Sequence, residues 1–323
     1  KFRLSLLGLP SITTLGEFSA ATHLSKGLIF RFSKYGDKYY YTYNLPKKDG
    51  SMRQIAQPCN ELKSLQAWIK VNILQSLVVS NACKGFEKNT SIADNALPHI
   101  GANAILVIDL ENFFPTINIK QVWSMFRTIG YSARIAGILA AICTFKETLP
   151  QGSPASPKIS NLVTLQLDKR LLGYVGKRAV VYTRYADDLT FSTYSPSILT
   201  KIYPKVKEII EDEGFFLNQT KTRFAGPGRQ HCVTGLVVTD KDLGIGRKKL
   251  HWLRALIYNL HKYDKEKVSK DELMTVIGWL AYINGIDEKR RKILDVYIGK
   301  LKSKYANTAL DLLPSYNARE VRS

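Results

Sequence analysis

Residues 179–193 read Ala-Val-Val-Tyr-Thr-Arg-Tyr-Ala-Asp-Asp-Leu-Thr-Phe-Ser-Thr. Ala179 to Tyr185 and Leu189 to Thr193 are apolar or β-branched runs, and Ala186-Asp187-Asp188 joins them, which predicts a β-hairpin with two acids at or near its tip. Adjacent carboxylates between apolar strands repel each other unless a cation is shared, so the pair points to metal binding. A solvated turn is the competing reading of a bare Asp-Asp.

Upstream, Ala104-Ile105-Leu106-Val107-Ile108 is a continuous apolar run ending in Asp109, the pattern of a buried strand that delivers a carboxylate at its end. Between the two regions, Pro154 onward reads as a helix with Ile159, Leu162, Val163, Gln166 and Leu167 on one stripe. Strand, helix and hairpin give an α+β core.

Working outward, Lys38 to Leu45 is aromatic and β-prone, Lys47-Lys48-Asp49-Gly50 is a turn, and Met52 to Gln57 resumes an extended pattern, together a second hairpin. Leu62, Leu65, Ile69 and Ile73 then recur at helical spacing, with Asn60 as the expected cap. After about Gly246 the pattern is wholly helical. Its stripes are Leu250, Leu253, Ile257 and Leu260; then Leu273, Ile277 and Leu280; then Leu294, Tyr297 and Leu301, with Ser269-Lys270-Asp271-Glu272 as a capping-box pattern opening the middle helix.

Forty-seven Lys and Arg face 27 Asp and Glu, a formal charge of +20 on 323 residues. That surplus attracts polyanions, nucleic acid first among them. Residues 221–323 hold 21 Lys and Arg against 11 Asp and Glu, a net of +10, which makes the C-terminal region a docking surface. Arg247, Lys248, Lys249 and Arg254 flank the apolar stripe of its first helix, where they can lie along a phosphate backbone or simply form a solvated face. The uncharged stretch Val71 to Cys83 is broken by Asn72, Gln75, Ser76 and Ser80, too short and polar to span a bilayer. No signal peptide is visible. Cys59, Cys83, Cys143 and Cys232 form no C-x-x-C pair, which argues against a disulfide framework or zinc module and suits a cytoplasmic setting.

Joining nucleotides needs a hydroxyl to attack an α-phosphate, and two divalent ions can stabilise the attacking and leaving oxygens. Mg²⁺ takes only a few carboxylates, so Asp109, Asp187 and Asp188 match that demand.

Tyr185-Ala186-Asp187-Asp188, preceded by Ile108-Asp109 and by Leu149-Pro150-Gln151-Gly152-Ser153-Pro154, resembles the ordered signature of reverse transcriptases. The resemblance runs from about residue 40 to the end of the chain. It implies a right-hand polymerase fold: fingers in 1–103, palm in 104–245 with a helical insertion at 121–149, and a three-helix thumb in 246–323. It casts Asp109 and Asp187 as the principal ligands of two Mg²⁺ ions, for which Mn²⁺ can substitute, and Asp188 as support. Phe114 resembles the aromatic gate that selects deoxynucleotides, although Phe113-Phe114 also suits a core. Gln151 and Gly152 look like the turn lining the nucleotide pocket. Arg53 resembles the arginine gripping the triphosphate, and Lys221 the lysine beside the pyrophosphate; a plain surface role is the alternative for each.

Asn95-Ala96-Leu97-Pro98-His99 resembles the N-A-x-x-H motif of bacterial retron reverse transcriptases, and Val233-Thr234-Gly235 their V-T-G motif. Each is weak alone, since a lone His is more often a satisfied core residue. Together they imply RNA contacts at Asn95, His99, Val233, Thr234 and Gly235, alongside Arg247, Lys248, Lys249 and Arg254. The family resemblance further implies a structured non-coding RNA partner, priming from a guanosine 2′-hydroxyl, dNTP substrates, a 2′,5′-branched multicopy single-stranded DNA product, and an accessory effector in anti-phage defence. Removal of template is expected to fall to a host ribonuclease H, because no segment after the thumb suits that activity. Ala155 departs slightly from the family pattern, standing where many relatives carry Ser or Thr. Two alternatives remain at this point: an RNA-binding scaffold for a defence effector, and an untemplated polymerase of the abortive-infection type.

Overall fold

The computed structural model describes residues 2–47 and 50–315. Lys48 and Asp49 of the expected first turn therefore lie outside the described residues. Strands β1 (Tyr40–Pro46) and β2 (Met52–Pro58) form an antiparallel hairpin, and most of β1 is exposed on both faces. A hairpin so weakly buried depends on its anchor: the Ala56 N–H donates to the Gln151 carbonyl at 2.8 Å.

The palm is a four-stranded antiparallel sheet in the order β4 (Val181–Tyr185), β5 (Asp188–Thr193), β3 (Ala104–Asp109), β6 (Arg223–Ala225). Side chains alternate across a strand. Ala104, Leu106 and Ile108 of β3, with Leu189 and Phe191 of β5, face the helical layer and enter the main core. Ile105 and Val107 face the other way, into a small second core, and Asp109 continues on that side.

The helical layer includes Ile119–Ile129, Ala133–Cys143, Ser156–Val163, Leu165–Gly176 and Pro196–Asp212. The helix expected from Pro154 is thus two helices, parted at Thr164, whose buried hydroxyl donates back to the Ser160 carbonyl and helps bend the backbone. Gln166, expected on the apolar stripe, is exposed beyond that break. The helix Asn60–Ile69 starts at the residue expected to cap it, so the cap position falls one residue earlier, on Cys59, and the helix continues as a π-helical turn over Lys70–Leu74.

Strands β7 (His231–Val233), β8 (Leu236–Val238) and β9 (Leu243–Gly244) make a second small sheet. Helices Arg247–Asn259, Lys270–Ile286 and Glu288–Lys304 follow and enclose a separate core of Leu253, Ile257, Leu280, Ile283, Leu294 and Ile298. The middle helix starts where the sequence predicts, but Ser269 makes no side-chain capping bond.

Candidate active site

Asp109 is the last residue of β3, and its Cα pairs with that of Asp188, the first residue of β5. Directly opposed antiparallel residues have Cα atoms about 4.5–5.5 Å apart. Tyr185 pairs with Asp188 across the hairpin, so the turn proper is Ala186-Asp187. The Leu110 N–H donates to the Asp187 carbonyl at 2.9 Å, tying the turn to the end of β3. Three carboxyl-bearing residues therefore share one edge of the palm.

The electrostatics register that crowding. Burial, and then the charges of Asp187 and Asp109, push the Asp188 carboxyl up to about 6. Burial and Asp109 raise Asp187 as well, opposed by Lys221 and Arg53. The Lys221 ammonium lies 3.2 and 3.3 Å from the two Asp109 oxygens. It is placed there by the turn after Leu217, where the Asn218 N–H donates to the Asp109 carbonyl at 2.8 Å. Arg53, exposed on the finger hairpin, contributes its charge to Asp187, and Arg223 of β6 contributes its own to Asp188.

Phe113 and Phe114 differ in burial. Phe113 is buried and packs on Phe215, whereas Phe114 is half-buried with its ring centroid 6.1 Å from exposed Phe86. Gly152 has φ +138°, and a Cβ there would stand 2.5 Å from the Ala56 carbonyl oxygen. Only glycine lets the Gln151-Gly152 turn approach the finger strand so closely.

Sequence reasoning missed what lies beneath the acids. Asp168 and Arg184 have no exposed side-chain surface and form a two-pronged pair, Nε to Oδ1 and Nη2 to Oδ2, each at 2.8 Å. Tyr182 donates to the same carboxylate at 2.8 Å. Arg184 Nη1 donates to the carbonyl of Ala186 and to Asn161 Oδ1, both at 3.2 Å. Ala186 has φ +57°, a left-handed conformation that costs a non-glycine residue about 1–2 kcal/mol. The guanidinium thus grips the strained residue of the Ala186-Asp187 turn. Gly85 presses on it from outside: a Cβ there would sit 2.6 Å from the Ala186 nitrogen.

A sequence profile described as "Reverse transcriptase (RNA-dependent DNA polymerase)" matches residues 45–254. The chain is 43% identical over 312 residues to the Retron Ec86 reverse transcriptase of Escherichia coli, covering 96% of each protein. It is 30% identical over 304 residues to the Retron Mx65 reverse transcriptase of Myxococcus xanthus, covering 87% of this chain and 71% of that one. The chain belongs to the bacterial retron reverse transcriptases. This reverse transcriptase is accordingly an RNA-directed DNA polymerase with an α+β polymerase fold. Apo telomerase from Candida tropicalis shares that fold at TM-score 0.50 and 12% identity, over 86% of this chain and 58% of that one.

The family uses divalent metal ions, and the acids of this reverse transcriptase fit one. All three offer hard oxygen donors. Neither Asp187 nor Asp188 has an ion pair among the described residues, and their mutual repulsion is what a cation relieves. No three His, Cys, Asp or Glu side chains among the described residues converge as a ready-made cage, and the Lys221 ammonium stands on Asp109.

The RNA contacts expected of the N-A-x-x-H and V-T-G motifs need correction. Asn95, His99 and Val233 have 0% exposed surface, so none can touch a polyanion. His99 instead bridges Ser192 Oγ at 2.7 Å and Thr183 Oγ1 at 2.8 Å. Thr234 (φ +45°) and exposed Gly235 (φ +82°) are the central residues of the β7–β8 turn, of the kind that demands positive φ. Thr234 Oγ1 donates to the Ile92 carbonyl at 3.3 Å. On the thumb, Arg247, Lys248, Lys249 and Arg254 are all exposed, with Lys249 5.6 Å over the Trp279 ring and Arg254 4.5 Å over that of Tyr297. No helix among the described residues is long and apolar enough to cross a membrane.

Proposed function

We propose that this reverse transcriptase binds a structured non-coding RNA, primes from the 2′-hydroxyl of an internal guanosine, and copies part of that RNA into 2′,5′-branched multicopy single-stranded DNA. The observation carrying the proposal is the pairing of Asp109 with Asp188 at adjacent strand ends, with Asp187 tied alongside and Lys221 and Arg53 at hand.

In this reading Asp109 and Asp187 hold the cations and Asp188 supports them. Two bound Mg²⁺ ions, or Mn²⁺ in their place, would stabilise charge on the attacking and leaving oxygens. The chain's own residues do the rest. The planar fork of Arg53 suits the triphosphate oxygens. Phe114, braced by Phe86, supports the sugar and excludes a 2′-hydroxyl. Gln151 and Gly152 line the nucleotide pocket, and Lys221 stabilises the departing pyrophosphate. The exposed cations of the helix Arg247–Asn259 lie along the duplex backbone.

The cytoplasmic complex of enzyme, RNA and DNA works with an accessory effector protein in anti-phage defence, and host ribonuclease H removes copied template. Sequencing the nucleic acid that co-purifies with the protein, before and after a 2′,5′-debranching enzyme, tests the proposal. DNA complementary to the co-purifying RNA and released by debranching is expected. DNA unrelated to that RNA, or unaffected by debranching, overturns it.

A further inference from the structure

His99 lies at the centre of a directed chain of hydrogen bonds. Thr183 Oγ1 donates to the Asn95 carbonyl at 3.3 Å, and with its proton there it accepts from His99 Nε2–H at 2.8 Å. Nδ1 is then unprotonated and accepts from the Ser192 hydroxyl. Burial pushes the imidazole down to about 4, which keeps this neutral tautomer in place. Both hydroxyls belong to the catalytic hairpin. Thr183 sits two residues before Tyr185, and Ser192 four after Asp188; by strand alternation both share the face of Asp188. His99 therefore straps β4 to β5 within the hairpin that bears the acids.

The strap is itself mounted on the thumb side. Thr234 holds the Ile92 carbonyl, and the Gly101 N–H donates to the Thr239 carbonyl at 3.0 Å. Ala96, Val233, Leu236, Val238 and Leu243 share one small core, against which Ile286 of the middle thumb helix packs. At its far end the Leu243 carbonyl accepts from Arg290 Nη1 at 3.3 Å, beside Asp287 at the junction of the last two thumb helices. The contacts thus run unbroken from the thumb junction to the hairpin that bears Asp187 and Asp188.

We infer that the Asn95–His99 segment and the Val233–Gly235 turn form a strut between thumb and catalytic hairpin, in which His99 is a positioning residue for Asp187 and Asp188, acting through Thr183 and Ser192. The inference rests on the polymerase reading above, and it replaces RNA contact as the role of the buried motif residues.

The test uses His99→Phe in the full chain, with Ser192→Ala as the milder variant should the first not fold. Three readings are taken: extension of a pre-annealed primer against Mg²⁺ concentration, Mn²⁺ binding by water-proton relaxation, and RNA affinity by filter binding. The expected result is a maximal extension rate at least tenfold lower and Mn²⁺ binding at least threefold weaker, with RNA affinity within twofold of the unaltered protein. Adding Thr183→Val and Ser192→Ala to His99→Phe should cost little further, since the hydroxyls act only through the ring. A lower melting temperature with unchanged extension and Mn²⁺ binding would reduce the strut to a stabilising element and overturn the inference. So would loss of RNA affinity in a folded variant whose Mn²⁺ binding is intact. Absence of synthesis by the unaltered protein would instead sink the polymerase reading.

Discussion

Asp168→Asn probes the buried support of the catalytic turn. The substitution keeps the shape of the side chain but removes its charge, leaving the Arg184 guanidinium desolvated without a counter-ion and setting an amide against one of its donors. With both partners wholly buried, the loss belongs to the range of broken buried pairs, about 3–5 kcal/mol, rather than the 0–1 kcal/mol of exposed ones. Urea unfolding followed by circular dichroism should show that loss. Primer extension below the unfolding transition should fall further than the folded fraction explains, because Nη1 of Arg184 also holds the Ala186 carbonyl. The double variant Asp168→Leu with Arg184→Met separates the two effects. Replacing both charges with apolar groups should recover stability relative to Asp168→Asn, but not extension, since Ala186 still lacks its donor. A loss below about 1 kcal/mol for Asp168→Asn, or full extension by the double variant, would refute this reasoning.

Further outcomes follow from the same geometry. Asp188 titrates near 6 in the folded state against 3.8 as a free side chain, so its charge costs nothing below about pH 4 and its full amount above about pH 6. In metal-free buffer, Asp188→Asn should therefore raise stability by about 1–3 kcal/mol at pH 8 and leave it unchanged at pH 4 in thermal unfolding; an equal gain at both would refute the cause. Phe114→Val should raise ribonucleotide incorporation at least tenfold relative to deoxynucleotide in single-nucleotide extension, and an unchanged ratio would remove Phe114 from the sugar pocket. Gly85→Ala should keep its circular dichroism spectrum yet lose at least tenfold in extension rate, because the added methyl meets the Ala186 nitrogen at 2.6 Å; normal extension would show that the turn can yield.

Much of the palm was legible because its signals are local. The apolar run ending in Asp109, the apolar and β-branched runs around Asp187 and Asp188, and the helical stripes after Gly246 each report burial within one element. The finger hairpin was legible for the same reason. The supports of the site were not, because they depend on pairing between distant segments. Nothing near Asp168 announces Arg184, and nothing near Gly85 announces the close approach of Ala186; only the tertiary fold joins them. The strut shows the opposite hazard. Its motifs were readable as family marks, yet a tripeptide cannot say whether its residues face solvent or the interior. His99 looked like an RNA contact and is instead walled in by two strand hydroxyls. The break at Thr164 escaped because a buried hydroxyl, rather than Gly or Pro, accompanies the interruption in an otherwise continuous apolar stripe.

The account's centre is that Asp109, Asp187 and Asp188 act together at the end of the palm strands. Single-turnover extension by Asp187→Asn, with RNA affinity measured in parallel, tests it most directly. A rate reduced at least a thousandfold with RNA binding preserved is the predicted result, and extension within tenfold of the unaltered enzyme would contradict it.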